Sequence, residues 1–234
     1  MAKKHSIEKI FQGRFLTSPA KMQSKFEKVK AFLFDWDGVF NNGQKDHNGS
    51  SLFNEVDSMG TNLLRFNHYQ RKGKLPIASI ISGEKNAASF MFAEREHFNS
   101  VYYSVKHKAT ALEHFCKDHK VTPAEIAFVF DDVLDFSIAN QVGIRIMIGR
   151  ESNPLLENYT EHHKLADYIT ACDGGNHGVR EATEVLMGLT GNFDNIIDHR
   201  LKFSKTYSSY FTSRNSGTTK FYTNTDSGII NKRP

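Results

Sequence analysis

The chain has 234 residues, 39% of them hydrophobic and 24% charged, with 30 Lys and Arg against 26 Asp and Glu. This is the make-up of a folded globular protein, and it excludes a collagen, a coiled coil and a wholly disordered chain. Two cysteines outside any CxxC pattern, no apolar signal core at the N-terminus and no run near ~18 apolar residues point to a reduced, cytoplasmic protein without a membrane span. The net charge of +4 hides a split: residues 1–30 carry +6, residues 191–234 carry +4 and residues 31–190 carry −6. An acidic body between two basic ends gives no footprint for nucleic acid. The expected organisation is a basic extension over 1–28, a body over 29–190 and a polar basic tail over 191–234.

At the N-terminal end, Ile7, Ile10, Phe11 and Phe15 recur at helical spacing. They predict a short amphipathic helix docked on the body or on a neighbouring subunit. The body then reads as alternating strands and helices. Val29–Phe34 is a short apolar run that ends in Asp35. Between it and the next helix, Asn42-Gly43 and Asn48-Gly49 are turn signals and predict a small β-hairpin flap over the strand ends. Met59–Arg71 has helical periodicity and stops at Gly73. Leu75–Ile81 is a second apolar run, ending in Ser82-Gly83, which reads as the opening of a helix over Ala87–Phe98. Val101–Ser104 precedes a helix over Ala109–Cys116. Ile126–Phe130 ends in Asp131-Asp132, Ile144–Ile148 ends in Gly149, and Val179–Leu189 is the closing helix.

Runs of this kind suit strands buried on both faces, so the fold class is α/β: a Rossmann-like parallel sheet with helices on both faces. Ligands of such sheets bind off the carboxyl ends of the strands, where three of the four runs end in residues able to do chemistry. The tail after Gly191 is rich in Ser, Thr and Asn and reads as loosely ordered. Tyr207, Tyr210, Phe211, Phe221 and Tyr222 are its possible anchors.

Asp35-Trp36-Asp37-Gly38 places two carboxylates at the rim of the first strand, with Trp36 between them turned into packing. Paired acids divide labour, one attacking and the other handling a proton, and a carboxylate serves as a nucleophile toward phosphorus. Ser82 and Gly83 offer a hydroxyl and backbone N–H groups to an anion. Lys108 offers a cation to a phosphoryl oxygen. Asp131, Asp132 and Asp135 form a carboxylate cluster, and hard oxygen ligands beside a phosphate suit Mg²⁺. Asp132 and Asp135 also read as caps of the following helix. His107, His162 and His163 lack metal-ligand spacing and read as surface residues.

Strand–DxDG, strand–SG, Lys and strand–DDxxD, in this order, resemble the signature of the haloacid dehalogenase superfamily. DWDGVFNNG, FNEVDSMG, IISGEKN, HKATAL, DDVLD and LADYITACDGGNHGVRE are similar to one branch of it. This branch is the small capless sugar-acid phosphatases, which act on 3-deoxy-octulosonate 8-phosphate or nonulosonate 9-phosphates. The resemblance spans about residues 30–190.

It implies that Asp35 is the nucleophile and that Asp37 is the acid and base, its backbone carbonyl also binding Mg²⁺. Ser82, Gly83 and Lys108 would hold the phosphoryl group, and Asp35 and Asp131 would bind the metal with Asp132 in support. The resemblance also implies a homotetramer. From the residues themselves, His177 sits in the closing motif as a candidate substrate contact, and Arg180 reads either as a contact for a substrate carboxylate or as a salt bridge to a helix partner. The sequence departs from the branch at Ser58, Glu84, Phe130, Asn176 and His177, and in a longer stretch between Gly149 and Leu165. A phosphatase of different or broad range is the alternative within enzymology. A non-catalytic assembly subunit with basic docking tails is the alternative outside it.

Overall fold

The protein is described by a computed structural model covering residues 6–234; Lys3 and Lys4 of the basic N-terminal segment lie outside the described residues. In chain order the elements are β1 (Arg14–Phe15), α1 (Pro19–Phe26), β2 (Ala31–Phe34), α2 (Glu55–Lys72), β3 (Ile77–Ile81) and α3 (Ala87–Arg95). They continue as β4 (Ser100–Tyr103), α4 (Lys108–His119), β5 (Ile126–Phe130), α5 (Phe136–Ala139), β6 (Ile144–Met147) and α6 (Pro154–His162). The last are β7 (Tyr168–Ile169), α7 (Gly178–Gly188), α8 (Phe193–Leu201), α9 (Lys205–Asn215), β8 (Lys220–Thr225) and β9 (Gly228–Asn231).

The nine strands of the described residues form one sheet in the order β1-β7-β6-β5-β2-β3-β4-β8-β9. Every pairing from β7 to β8 is parallel, and an antiparallel strand closes each edge. The side chains of β2 show why this chain makes strands buried on both faces. Phe32 and Phe34 enter one core with Leu64, Phe66, Val179 and Leu186 of α2 and α7. Ala31 and Leu33 enter the other with Leu112 and Phe115 of α4. Alternate residues of a strand face opposite ways, so both faces must be apolar when helices cover both. Chain order reverses on either side of β2, between β5 and β3, which makes its carboxyl end the topological switch point. Among the described residues no cap domain interrupts the alternation, and no helix is long and apolar enough to cross a membrane.

Three expectations are corrected. The 41–54 segment does project from the end of β2, but it is a loop without paired strands. Its Asp46 side chain accepts the backbone N–H groups of Asn48 and Ser50 at 2.9 and 2.8 Å, so a local turn takes the groups a ladder would use. Near the N-terminus, a single 3-10 turn over Ile7–Lys9 replaces the amphipathic helix, and Phe15 lies in β1, paired with Tyr168 of β7. Ile7, Phe11 and Phe15 nonetheless pack against the core, while Ile10 stays exposed. Buried Asp167 pins this extension by accepting Thr17 Oγ1 and Lys25 Nζ, each at 2.7 Å.

The C-terminal segment is folded. Tyr207 and Tyr210 are buried against Phe66, and their hydroxyls donate to the side chain and the carbonyl of Asn62 at 3.1 and 3.0 Å. Strand β8 then pairs with the open edge of β4, Val101 opposite Phe221 and Tyr102 opposite Tyr222. Composition could not show this, because a free strand edge binds backbone and is indifferent to side-chain polarity. Arg214 of α9 completes the attachment, 3.0 Å from Glu96 with both side chains nearly buried. Glu96 also accepts from Ser58 and Arg95, so the serine that replaces glycine at position 58 has a partner. Arg214→Met leaves Glu96 with those two donors. It should destabilise the protein by about 2 kcal/mol in urea unfolding and speed proteolytic release of the tail.

Candidate active site

The end of β2 delivers Asp35, whose backbone N–H extends the ladder to Val129 O at 2.9 Å. Its carboxylate is nearly buried and lies 2.6 Å from the ammonium of Lys108, the first residue of α4. The same ammonium lies 2.6 Å from Asp135, in the short turn after β5. Asp35, Asp131 and Asp135 bring one oxygen each within 4.8 Å of one another, the one such cluster of acidic, His or Cys ligands among the described residues.

Burial alone would lower the pKa of Lys108, but the two carboxylates overturn that and hold it above the ordinary lysine range. Burial and the neighbouring Asp135 raise Asp35 although Lys108 opposes them. Burial, Asp35 and Asp135 raise Asp131, against the pull of Arg150, whose guanidinium is 3.1 Å from its Oδ2. Three buried carboxylates facing two cations want a further positive charge, and hard oxygen donors suit a small divalent ion. The residues fit Mg²⁺: Asp35, Asp131 and Asp135 would hold it.

A pocket of about 220 Å³ opens on this cluster and is lined by Asp35, Asp37, Ser82, Gly83, Lys108, Asp131 and Asp132 among others. The structure thus brings together residues from four strand ends. Gly38 has a left-handed φ of 86°, and a Cβ there would stand 1.9 Å from Asp131 Oδ2. The DxDG turn therefore lies against Asp131 only because its last residue has no side chain.

Asp37 lines the same pocket but is not one of the three clustered carboxylates. Its Oδ1 accepts Ser51 Oγ at 2.9 Å and Asn86 Nδ2 at 3.3 Å and is 2.6 Å from Lys45 Nζ. Asp132 caps the turn over Val133–Asp135, with Oδ1 accepting from Val133 N at 2.6 Å. Asp135 is more than a cap, being a member of the buried cluster. Ser82-Gly83 does not open the helix. Asn86 caps α3 instead, its side chain accepting the Ala88 N–H at 3.1 Å, which leaves the Ser82 hydroxyl at the pocket.

His177 and Arg180 do not line this pocket. His177 is exposed, with φ 70° at the start of α7. Arg180 spends its guanidinium on Glu184 at 2.6 Å, while its backbone N–H donates to buried Asp57 at 2.8 Å. Asp57 is thus the cap that α7 lacks locally, supplied by α2 across the interface. Of the departures from the branch, Phe130 points into the core against Phe128, and Glu84 pairs with Lys106 at the pocket rim. His107, His162 and His163 are exposed.

Arg150 and Lys45 lie in no motif, and Asn86 closes IISGEKN without being singled out in it. The signal for Arg150 is position, three residues after β6, whose neighbour β5 is followed by Asp131.

No family model matches the chain. The 3-deoxy-D-manno-octulosonate 8-phosphate phosphatase KdsC of Escherichia coli strain B / BL21-DE3 is 25% identical over 179 residues, covering 75% of this chain and 88% of that protein. The solved structure of a haloacid dehalogenase superfamily (subfamily III A) hydrolase from Legionella pneumophila matches with a TM-score of 0.64 at 25% identity, over 78% of this chain and 95% of that one. The same phosphatase from Moraxella catarrhalis, solved with magnesium, phosphate and 3-deoxy-octulosonate, matches with a TM-score of 0.62 at 26% identity, over 76% of this chain and 97% of that one. The chain has the α/β fold of these haloacid dehalogenase superfamily hydrolases.

The raised carboxylates give a pH test of this Mg²⁺ site. The folded metal-free protein keeps protons on Asp35 and Asp131 that the unfolded chain has already lost above the ordinary carboxylate range. Its stability therefore falls as pH rises through that range and beyond. A bound divalent cation replaces those protons, so the Mg²⁺-induced rise in Tm should grow steadily from pH 5 to pH 8 in about 10 mM Mg²⁺. Asp131→Asn should flatten that pH dependence.

Proposed function

We propose that the protein is a Mg²⁺-dependent phosphomonoester hydrolase acting on a phosphorylated sugar acid. Its substrate is of the 3-deoxy-octulosonate 8-phosphate or nonulosonate 9-phosphate type. The carrying observation is the ammonium of Lys108 held against Asp35 in a small acidic pocket that Asp37 and Ser82 also line.

In this reading Asp35 attacks phosphorus and forms an aspartyl-phosphate as the bond to the sugar oxygen breaks. Lys108 and Ser82 hold the phosphoryl oxygens as charge moves onto them. Asp37 protonates the leaving sugar oxygen and then takes a proton from the water that cleaves the intermediate. Bound Mg²⁺ would act as a Lewis acid toward the phosphoryl group. The buried acids Asp35, Asp131 and Asp135 would hold that ion, and the relatives' names suggest the substrate class.

Two measurements test this reading. Phosphate release should need Mg²⁺, and it should favour 3-deoxy-octulosonate 8-phosphate or a nonulosonate 9-phosphate over hexose phosphates and nucleotides. Asp35→Asn should cut turnover by about a thousandfold or more, since it removes the nucleophile and not a positioning contact. Equal rates across the panel would defeat the sugar-acid assignment, and an active Asp35→Asn protein would defeat the mechanism.

The assembly we propose is a homotetramer. Exposed Leu52, Val56 and Met59 lie on the flap loop and at the start of α2. A neighbour's surface there would cover apolar area and shield the site from water. Light scattering should give four times the mass of one chain, and a monomer would contradict it.

A further inference from the structure

The stretch between Gly149 and Leu165, which departs from the branch in length, folds into a turn and α6. Arg150 opens it, and both polar groups of its backbone are engaged. Its N–H donates to Glu157 Oε1 of α6 at 3.1 Å, and its carbonyl accepts the Asn153 N–H at 2.9 Å. Glu157 is held in turn by Arg14, whose guanidinium is 2.7 Å from Oε2. Arg14 belongs to β1 of the N-terminal extension, which pairs with β7. A continuous series of contacts therefore runs from the edge of the sheet to Arg150.

The side chain of Arg150 ends on Asp131. Its Nη2 donates to Oδ2 at 3.1 Å, and no other hydrogen bond reaches the Asp131 carboxylate among the described residues. Arg150 does not line the small pocket, although Asp131 does. The guanidinium meets the carboxylate beside the Gly38 turn: a Cβ on Gly38 would stand 2.8 Å from that same Nη2 and 1.9 Å from Oδ2. It approaches from outside the space that substrate and ion would share. Lys108 fixes Asp35 and Asp135 at 2.6 Å each, but it does not contact Asp131. Of the three clustered acids, Asp131 is thus the one whose orientation is left to Arg150. With Oδ2 committed to a guanidinium, Oδ1 stays available, and the carboxylate is ordered before an ion arrives.

We propose that Arg150 is a positioning residue for the divalent ion: held by Glu157 and Arg14, it keeps Asp131 oriented with Asp35 and Asp135 so that the three carboxylates bind Mg²⁺ as a set. The proposal rests on the reading of this cluster as the Mg²⁺ site of a phosphatase. A guanidinium beside such a site acts in two opposing ways, repelling the ion by its charge and ordering a ligand that would otherwise turn. The repulsion is screened, because 28% of the Arg150 side chain is exposed to water. The ordering acts through a direct hydrogen bond and is not screened, so it dominates. Partners of this kind, bonded to a ligand and not to the metal, change metal affinity by about ten- to a hundredfold. The N-terminal extension and α6 take no part in the chemistry, and in this arrangement they set where Arg150 starts.

The test measures Mg²⁺ binding to the full chain by calorimetry and by the Mg²⁺-induced rise in Tm, for wild type, Arg150→Met, Arg150→Lys and Glu157→Ala. Arg150→Met should weaken Mg²⁺ binding about ten- to thirtyfold. Arg150→Lys keeps a charged donor and should fall within about threefold of wild type. Glu157→Ala removes no contact to the cluster, only the hold on Arg150, and should weaken binding about two- to fivefold. Should Arg150→Met fail to fold, the other two variants carry the same comparison. In turnover, the activity lost in Arg150→Met should return as Mg²⁺ is raised. Mg²⁺ binding that is unchanged or tighter in Arg150→Met overturns the proposal, and so does a loss of turnover that Mg²⁺ does not restore. A wild type that binds no Mg²⁺ overturns the metal reading of the cluster together with the role of Arg150. If wild type binds Mg²⁺ but cleaves neither sugar-acid phosphate, the phosphatase reading fails, and the binding comparison still decides whether Arg150 positions Asp131.

Discussion

The ammonium of Lys108, held between Asp35 and Asp135 in a nearly dry pocket, is the contact on which the site depends. It joins the ends of two neighbouring strands to the start of a helix on the other side of the chain crossing. Burying such charges is costly, and only mutual pairing offsets the loss of water. The arrangement is still not neutral. Asp131 adds a third carboxylate that Arg150 only partly answers, so the cluster is built to take a divalent ion. The sheet order that sets β5 and β3 beside β2 exists, in functional terms, to bring these groups within a few ångströms.

Around this fixed centre the chain uses backbone and glycine where space is short. Gly38 lets the DxDG turn lie on Asp131, and a Cβ at Gly174 would overlap the carbonyl of Gly38. Asp57 ties the start of α7 to α2 through a single buried carboxylate. The 41–54 loop is different in kind. It meets the centre through side chains on Asp37, so the residue assigned to proton transfer is also the one that senses the loop. Of the departures from the branch, Glu84 borders the small pocket, and Asn176 borders the cavity beyond the 41–54 loop.

Legibility followed the physical range of each signal. β5 is read with its observed limits, because five consecutive apolar residues bounded by acids have no other stable place than a strand buried on both faces. Asp35, Ser82, Lys108 and Asp131 are legible because each follows such a run or opens the helix after it. Trp36 is legible as core, since strand alternation turns it from its neighbours, and it stacks on Phe40. The tail, the N-terminal turn and the flap were not. For the first two the deciding partner is distant in sequence, the edge of β4 and the edge of β7; in the flap the local Asp46 turn takes the groups that a hairpin would pair.

The opening charge split also changes meaning. The basic ends are edge strands and helices of the same sheet and cores, fastened by Lys25 on Asp167 and Arg214 on Glu96. The sequence by itself determined the α/β alternation, the strand ends that carry chemistry and the acidic character of the body, because these are written in local periodicity and composition. Only the tertiary structure decided that Asp135 rather than Asp132 meets Asp35 and Asp131, that Arg180 takes the helix salt bridge to Glu184, and that Lys45 and Arg150 reach Asp37 and Asp131. Those outcomes depend on which side chains meet across the fold, and a linear pattern carries no record of that distance.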